Sequence, residues 1–320
     1  MQLMPALEAG EEILVGGQAV IEGVMMRAPH SYCVAVRQPN GEMITQEQEI
    51  PRMSEKYPLF KYPILRGLGT LAQAMQLGYR ALAFSANAAL TEVDSNNAPK
   101  DGAKPAGAIS SKMMAITMVI NLALFIGIYK FVPLFLATSL GHVVPSLSGR
   151  FASNMLDGVI RMLLFLAFMF AISLAKDIRR VFEFHGAEHK VVFNYESGKP
   201  VTVENAQKFV TFHPRCGTSF VFVLFAIAMV VYALVPVDGF LVKLAVRIAM
   251  LPLIVGLSYE LIRFAAKRQG SLMGWITAPG LWLQRITTKP PDDVQTSVAI
   301  HALEGAMALE AKQGGVLVIA

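Results

Sequence analysis

The sequence predicts a mainly α-helical, polytopic membrane bundle of about four transmembrane helices with a small cytosolic β-hairpin element. Three observations predict it. Of 320 residues, 54% are hydrophobic and only 16% charged, against about 45–50% and about 25% in soluble domains, and the mean hydropathy is +0.49. Four stretches stay apolar over roughly the 17–25 residues that a membrane helix needs. The basic residues are also segregated: of 28 Lys and Arg, ten fall in residues 1–112, seven in 176–217 and six in 263–320. Composition excludes disordered, collagen-like and coiled-coil chains. A net charge of +5 does not require a nucleic acid partner, because cytoplasmic loops held positive account for the same excess.

The elements follow in order. The first thirty residues carry Glu8, Glu11 and Glu12 and lack a basic segment followed by an apolar core, so no export signal is expected and the N-terminus starts in the cytosol. Residues 1–65 form a cytosolic segment. Within it, 32–38 and 43–50 read as two strands around Asn40-Gly41, a strong hairpin signal. Residues 66–92 read as a long helix of small and moderately polar residues, amphipathic or membrane-associated. Residues 93–111 are rich in Asn, Pro, Lys, Asp, Gly and Ser and read as a flexible linker.

The bundle occupies 112–262. Its spans are 113–129, with Lys130 and Pro133 marking the far end, then 154–175, 218–235 and 240–262, the last interrupted by Pro252. The positive-inside rule gives both termini and the 176–217 loop to the cytoplasm. The segment 263–320 follows as a cytosolic, membrane-surface tail, with 270–288 resting on the membrane and 292–313 forming a terminal helix. Asp157 and Arg161, four apart, are expected to pair, and Lys243 and Arg247 to snorkel outward. Polar residues thus sit at span ends, which disfavours a transporter. Cys33 and Cys216 both map to the cytosolic side, where thiols stay reduced, so no disulfide is expected.

The 176–217 loop concentrates the chemistry. It holds His185, Glu188, His189, His213 and Cys216. On a helix, His185 and His189 share a face with Glu188 beside them. His-x-x-Glu-His is the inverted zincin pattern, with two zinc-binding histidines and a glutamate as general base. His213 and Cys216, three apart before the third span, are further ligands of the right types. Three His and a Cys would close a tetrahedral shell, which is structural, with Glu188 orienting a ligand. A shell left open is catalytic. Both readings stand, with a divalent metal, zinc first, as the expected cofactor. The segment Gly16-Gly17-Gln18-Ala19-Val20-Ile21-Glu22-Gly23-Val24-Met25-Met26-Arg27 has two readings as well. It is a glycine-rich turn into the hairpin, or a substrate or partner loop with Gln18, Glu22 and Arg27 as polar tips. Glu260 falls at the membrane level of Cys216 and either joins the site or pairs with Arg263.

Four ordered motifs, 16–27 above, His-Gly-Ala-Glu-His-Lys (185–190), His-Pro-Arg-Cys-Gly-Thr-Ser-Phe (213–220) and Pro-Gly-Leu-Trp-Leu-Gln-Arg-Ile-Thr-Thr (279–288), together resemble the bacterial YqhQ-like family, domain of unknown function 1385. The likeness runs from about Val15 to Leu303. It implies a bacterial cytoplasmic-membrane protein and a suspected metal site at His185, Glu188, His189, His213 and Cys216, with no established reaction. Expected partners are membrane lipids and a membrane protein. Two function classes remain, a metal-dependent hydrolase and a non-enzymatic scaffold or biogenesis factor with a structural metal.

Overall fold

The computed structural model describes residues 15–51, 53–90, 111–267 and 271–312. In chain order the elements are strands β1 (Gly16–Val20), β2 (Gly23–Arg27), β3 (Ser31–Arg37) and β4 (Met43–Glu49), then helices α1 (Met53–Lys56), α2 (Leu65–Leu90), α3 (Ser111–Ile126), α4 (Val132–Val143), α5 (Arg150–Ser173), α6 (Lys176–Glu196), α7 (Val203–Gln207), α8 (Gly217–Leu234), α9 (Phe240–Ala249), α10 (Leu251–Lys267), α11 (Ser271–Thr287) and α12 (Asp293–Lys312).

The expected hairpin is half of a larger sheet. Four antiparallel strands run in the order β1-β2-β3-β4, and Val20 pairs with Gly23 across a two-residue turn. The glycine-rich segment is thus itself a hairpin. Val24, Met26, Cys33 and Ala35 pack on Phe184 and Val191 of α6 and Ala302 of α12. Val20, Met25, Tyr32, Val34 and Val36 pack on Leu77, Ala81 and Ala88 of α2. Burial of both faces explains why β2 and β3 are apolar almost without alternation. β4 is the polar edge, with only Ile44 half-buried.

The helix expected over 66–92 is α2, and it covers the sheet. It also packs on α10, where Gly67 meets the Tyr259 side chain and Gly256 meets Ile64 so closely that neither site has room for a Cβ. Residues 91–110, which take in the end of that expected helix and all of the expected linker 93–111 but Ser111, lie outside the described residues.

Among the described residues, three helical stretches, Val119–Val143, Arg150–Ser173 and Gly217–Leu234, are long and apolar enough to cross a membrane; a fourth is the pair α9 and α10 if the two, bent by 47°, form one span. The first differs from expectation because neither Lys130 nor Pro133 ends it. A π-helical turn, Gly127–Phe131, links α3 to α4, and Pro133 sits in the first turn of α4; the Tyr129 carbonyl four residues before it accepts from Arg161 Nε at 3.0 Å instead, so the missing proline N–H leaves no orphan. Met250 breaks the fourth, between α9 and α10, two residues before Pro252. Segment 270–288, expected on the membrane surface, forms α11, whose Gly280 lies against Ser219 of α8. Asp157 and Arg161 pair at 2.5 Å as expected. Arg247 does not snorkel: it is buried and donates to Asp157 at 2.6 Å and Asn154 at 2.7 Å, because the α5 carboxylate offers a partner that water would otherwise supply.

Candidate functional site

Helix α6 places His185 and His189 on one face, four residues apart, with ring centroids separated by 4.4 Å. His185 Nδ1 lies 2.8 Å from the Thr287 carbonyl and His189 Nδ1 lies 2.5 Å from the Thr211 carbonyl. A carbonyl oxygen only accepts, so each Nδ1 carries a proton, and in the neutral ring each Nε2 then keeps its lone pair. Cys216 Sγ lies 3.3 Å from His185 Nε2. One donor atom from each of His185, His189 and Cys216 lies within 4.8 Å of the others. Glu188 is buried, with Oε2 3.9 Å from both imidazole Nε2 atoms.

The loop that carries Thr211 and Cys216 is fixed by buried polar contacts. Lys190 Nζ donates to the Gln207 and Phe209 carbonyls, each at 2.7 Å, and burial pulls its ammonium pKa down. Gln284, fully buried, accepts from the His213 N–H at 2.7 Å and donates to the His213 carbonyl at 2.9 Å. Lys289 N–H donates to Phe182 O at 2.9 Å, which lays residues 287–289 along α6. Gly186 makes that approach feasible, since a Cβ there would sit 2.0 Å from the Lys289 carbonyl oxygen.

His213 is the expected ligand that the structure turns elsewhere. Its Nε2 faces Glu196 Oε2 at 3.3 Å, its Nδ1 accepts from the Arg215 N–H at 3.2 Å, and Glu196 is also paired with Arg215. Burial pushes the His213 pKa down to about 4, against the opposing pull of Glu188. A cavity of about 490 Å³ opens beside the three-residue cluster, walled by β1 on one side and by Phe182, Arg215 and Thr218 on the other.

The family described as protein of unknown function (DUF1385) matches residues 62–309. The chain is 33% identical over 301 residues to the uncharacterized protein YqhQ of Bacillus subtilis (strain 168), covering 92% of this chain and 93% of that protein. The chain belongs to the DUF1385 family. No solved structure matches it.

The remaining expected residues of this DUF1385 chain divide between the cavity and the scaffold. Gln18 is in the cavity wall, and its amide lies against Gly78 of α2. Glu22 forms an ion pair with Arg180 that ties the β1–β2 turn to α6. Arg27 donates to Gln73 Oε1 at 2.6 Å, which joins β2 to α2. Glu260 neither joins the site nor depends on Arg263 alone, because it accepts from Arg66 Nε at 2.6 Å and from the Ile64 N–H at 3.2 Å. Sequence reasoning missed Gln284 and the Thr211 and Thr287 carbonyls. The 279–288 motif holds Gln284 and Thr287 but carried no assigned role, and no motif holds Thr211.

Proposed function

We propose that this DUF1385 protein is a cytoplasmic-membrane metalloprotein in which His185, His189 and Cys216 hold one divalent metal, zinc by the chemistry of the donors, and that it acts as a metal-dependent hydrolase. The observation that carries the reading is the pair of Nδ1–H···O=C hydrogen bonds to Thr287 and Thr211. Metal-ligating histidines almost always donate their second ring N–H in this way, which fixes the tautomer and aims the free lone pair. Two imidazoles and a thiolate suit zinc, whose donors lie at about 2.0–2.3 Å from the ion, and the cluster's atoms are already within 4.8 Å of one another.

Bound there, the ion would supply Lewis acidity and lower the pKa of water. The residues do the rest. Glu188, buried and equidistant from the two Nε2 atoms at 3.9 Å, is placed to orient a water molecule in the cavity and accept its proton. The structural-metal alternative needs a fourth protein ligand, and His213, the natural choice, is engaged by Glu196 and the Arg215 N–H. The arrangement therefore favours an open position. The cavity reaches Gly217 and Thr218 at the start of α8, so a substrate would enter at the membrane surface. Segregation of the basic residues assigns the sheet, the site and both termini to the cytoplasmic side.

X-ray absorption on zinc-loaded protein tests the reading. Two imidazoles, one sulfur and one exchangeable oxygen are expected, with metal retained in His213→Ala and lost in His189→Ala. Four protein donors including His213 would make the site structural. An activity that survives metal removal and disappears in Cys216→Ser would instead assign the chemistry to a Cys216–His185 pair. External labelling of a Ser197→Cys variant in intact cells would overturn the sidedness.

A further inference from the structure

The end of the bundle away from the sheet holds a buried excess of positive charge. Asp157 and Arg161 lie about 10 and 16 Å along α5 from Arg150, at 1.5 Å per residue, so the polar network reaches well into the span. Arg161 donates to Asp157 at 2.5 Å and to the Tyr129 carbonyl at 3.0 Å. Arg247 donates to the other Asp157 oxygen at 2.6 Å and to Asn154 at 2.7 Å. Lys130 donates to the Tyr232 hydroxyl at 3.0 Å, and that hydroxyl donates to the Arg247 carbonyl at 2.9 Å. All three cations surround the Tyr232 ring, 5.3, 5.6 and 5.2 Å from its centroid for Lys130, Arg161 and Arg247. The ring's negative face attracts them without neutralising them. Among the described residues, Asp157 is the single carboxylate in the network. Even with Lys130 unprotonated, two guanidiniums outnumber it.

Uncompensated charge inside a membrane is costly, and such residues mark ligand or ion sites. A cavity of about 150 Å³ adjoins this network. Arg247, Asn154 and Tyr232 line it, together with Arg150, Lys243 and one acidic residue, Asp238. Counting the groups that line the cavity and those directly behind it, five cations face two carboxylates. We infer that this cavity binds a small oxyanion of the phosphate class, either free or as the headgroup of an anionic lipid. The volume suits one tetrahedral oxyanion; the Arg150 guanidinium offers the planar donors that recognise phosphate and Lys243 a second cation, while Arg247, its terminal nitrogens held by Asp157 and Asn154, adds positive charge. This site is independent of the His185, His189 and Cys216 cluster, so its test does not involve the metal.

The test is thermal unfolding of the full chain in maltoside micelles, titrated with inorganic phosphate and, separately, with short-chain phosphatidylglycerol. Sodium chloride at equal ionic strength is the control. Stabilisation by phosphate that chloride does not reproduce supports a free oxyanion, and stabilisation by the lipid alone supports a headgroup. In either case the double variant Arg150→Gln, Lys243→Gln should weaken binding by about tenfold or more, the scale of lost hydrogen bonds to charged groups. Both residues lie at the rim, so the variant is expected to melt near the parent temperature, and Lys243→Arg should keep the response even if the double variant does not fold. No response to either probe, or a response unchanged in the double variant, would overturn the proposal.

Discussion

Replacing Gly186 with alanine sets two effects of opposite sign against each other. Helix propensity alone favours alanine by about 1 kcal/mol in a helix interior. The Cβ, however, would lie 2.0 Å from the Lys289 carbonyl oxygen and 3.3 Å from Thr211 Cγ2. An ordinary contact begins at 3.4 Å, so residues 287–289 must retreat by roughly 1.4 Å. Overpacking of this kind costs about 1–3 kcal/mol. The retreat also stretches the Lys289 N–H bond to Phe182 O, 2.9 Å in the native chain, for about 1 kcal/mol more. The net expectation is a loss of about 1–3 kcal/mol. The same movement withdraws the Thr287 carbonyl from His185 Nδ1, and loss of such an orienting bond lowers metal affinity about 10–100-fold. Thermal unfolding of metal-free protein, followed by a zinc titration, measures both. A Gly186→Ala protein that melts higher than the parent and binds zinc equally well would refute the reasoning.

Gln284→Leu leaves the buried His213 N–H without its partner and the His213 carbonyl with the Cys216 N–H alone, at about 1–3 kcal/mol for the orphaned N–H; it should lower the melting temperature, and an unchanged melt would show that the clamp is dispensable. Cys33 is buried in the sheet, and burial together with Glu47 pushes its thiol up to about 12, so N-ethylmaleimide should modify Cys216 alone in native protein and both thiols after denaturation, with zinc protecting Cys216. Mass spectrometry of the two peptides checks this, and native labelling of Cys33 would contradict it. Glu310 supplies a pH dependence. Burial raises its pKa, but the Ser31 hydroxyl, the His30 ring and the His30 N–H together hold it below the usual carboxylate range. The folded chain therefore favours the ionised form. Its contribution to stability is complete above the unfolded value of about 4.3 and is lost as pH falls through the lower folded value. Melting curves from pH 7 to pH 3 should fall less steeply in Glu310→Gln, and parallel curves would remove Glu310 from the account.

Local signals were legible in the sequence, and partners distant along the chain were not. The spans followed from apolar length, and the β3–β4 hairpin followed from Asn40-Gly41. The β1–β2 hairpin was hidden because its turn is Ile21-Glu22, with no glycine or asparagine at the positive-φ position. Glu22 takes φ of 54° there, a region that residues other than glycine seldom occupy, and its carboxylate is held by Arg180. Pro133 misled because a π-helical turn precedes it. Arg247 and Glu260 were misassigned for one reason: their partners, Asp157 and Arg66, lie 90 and 194 residues away, and no local pattern encodes such pairings. The His185, His189 and Cys216 grouping was visible as motif spacing. The contacts of His213 with Glu196, Arg215 and Gln284 were not visible, because only the folded loop brings those groups around it.

Elemental analysis of the full chain, purified without chelator and without immobilised-metal chromatography, tests the central claim most directly. Close to one equivalent of divalent transition metal per chain is expected, zinc in the first instance, retained in Glu188→Gln and lost in His185→Ala, His189→Ala and Cys216→Ser. Less than about a tenth of an equivalent in well-folded protein, with no uptake on incubation with zinc, would contradict it.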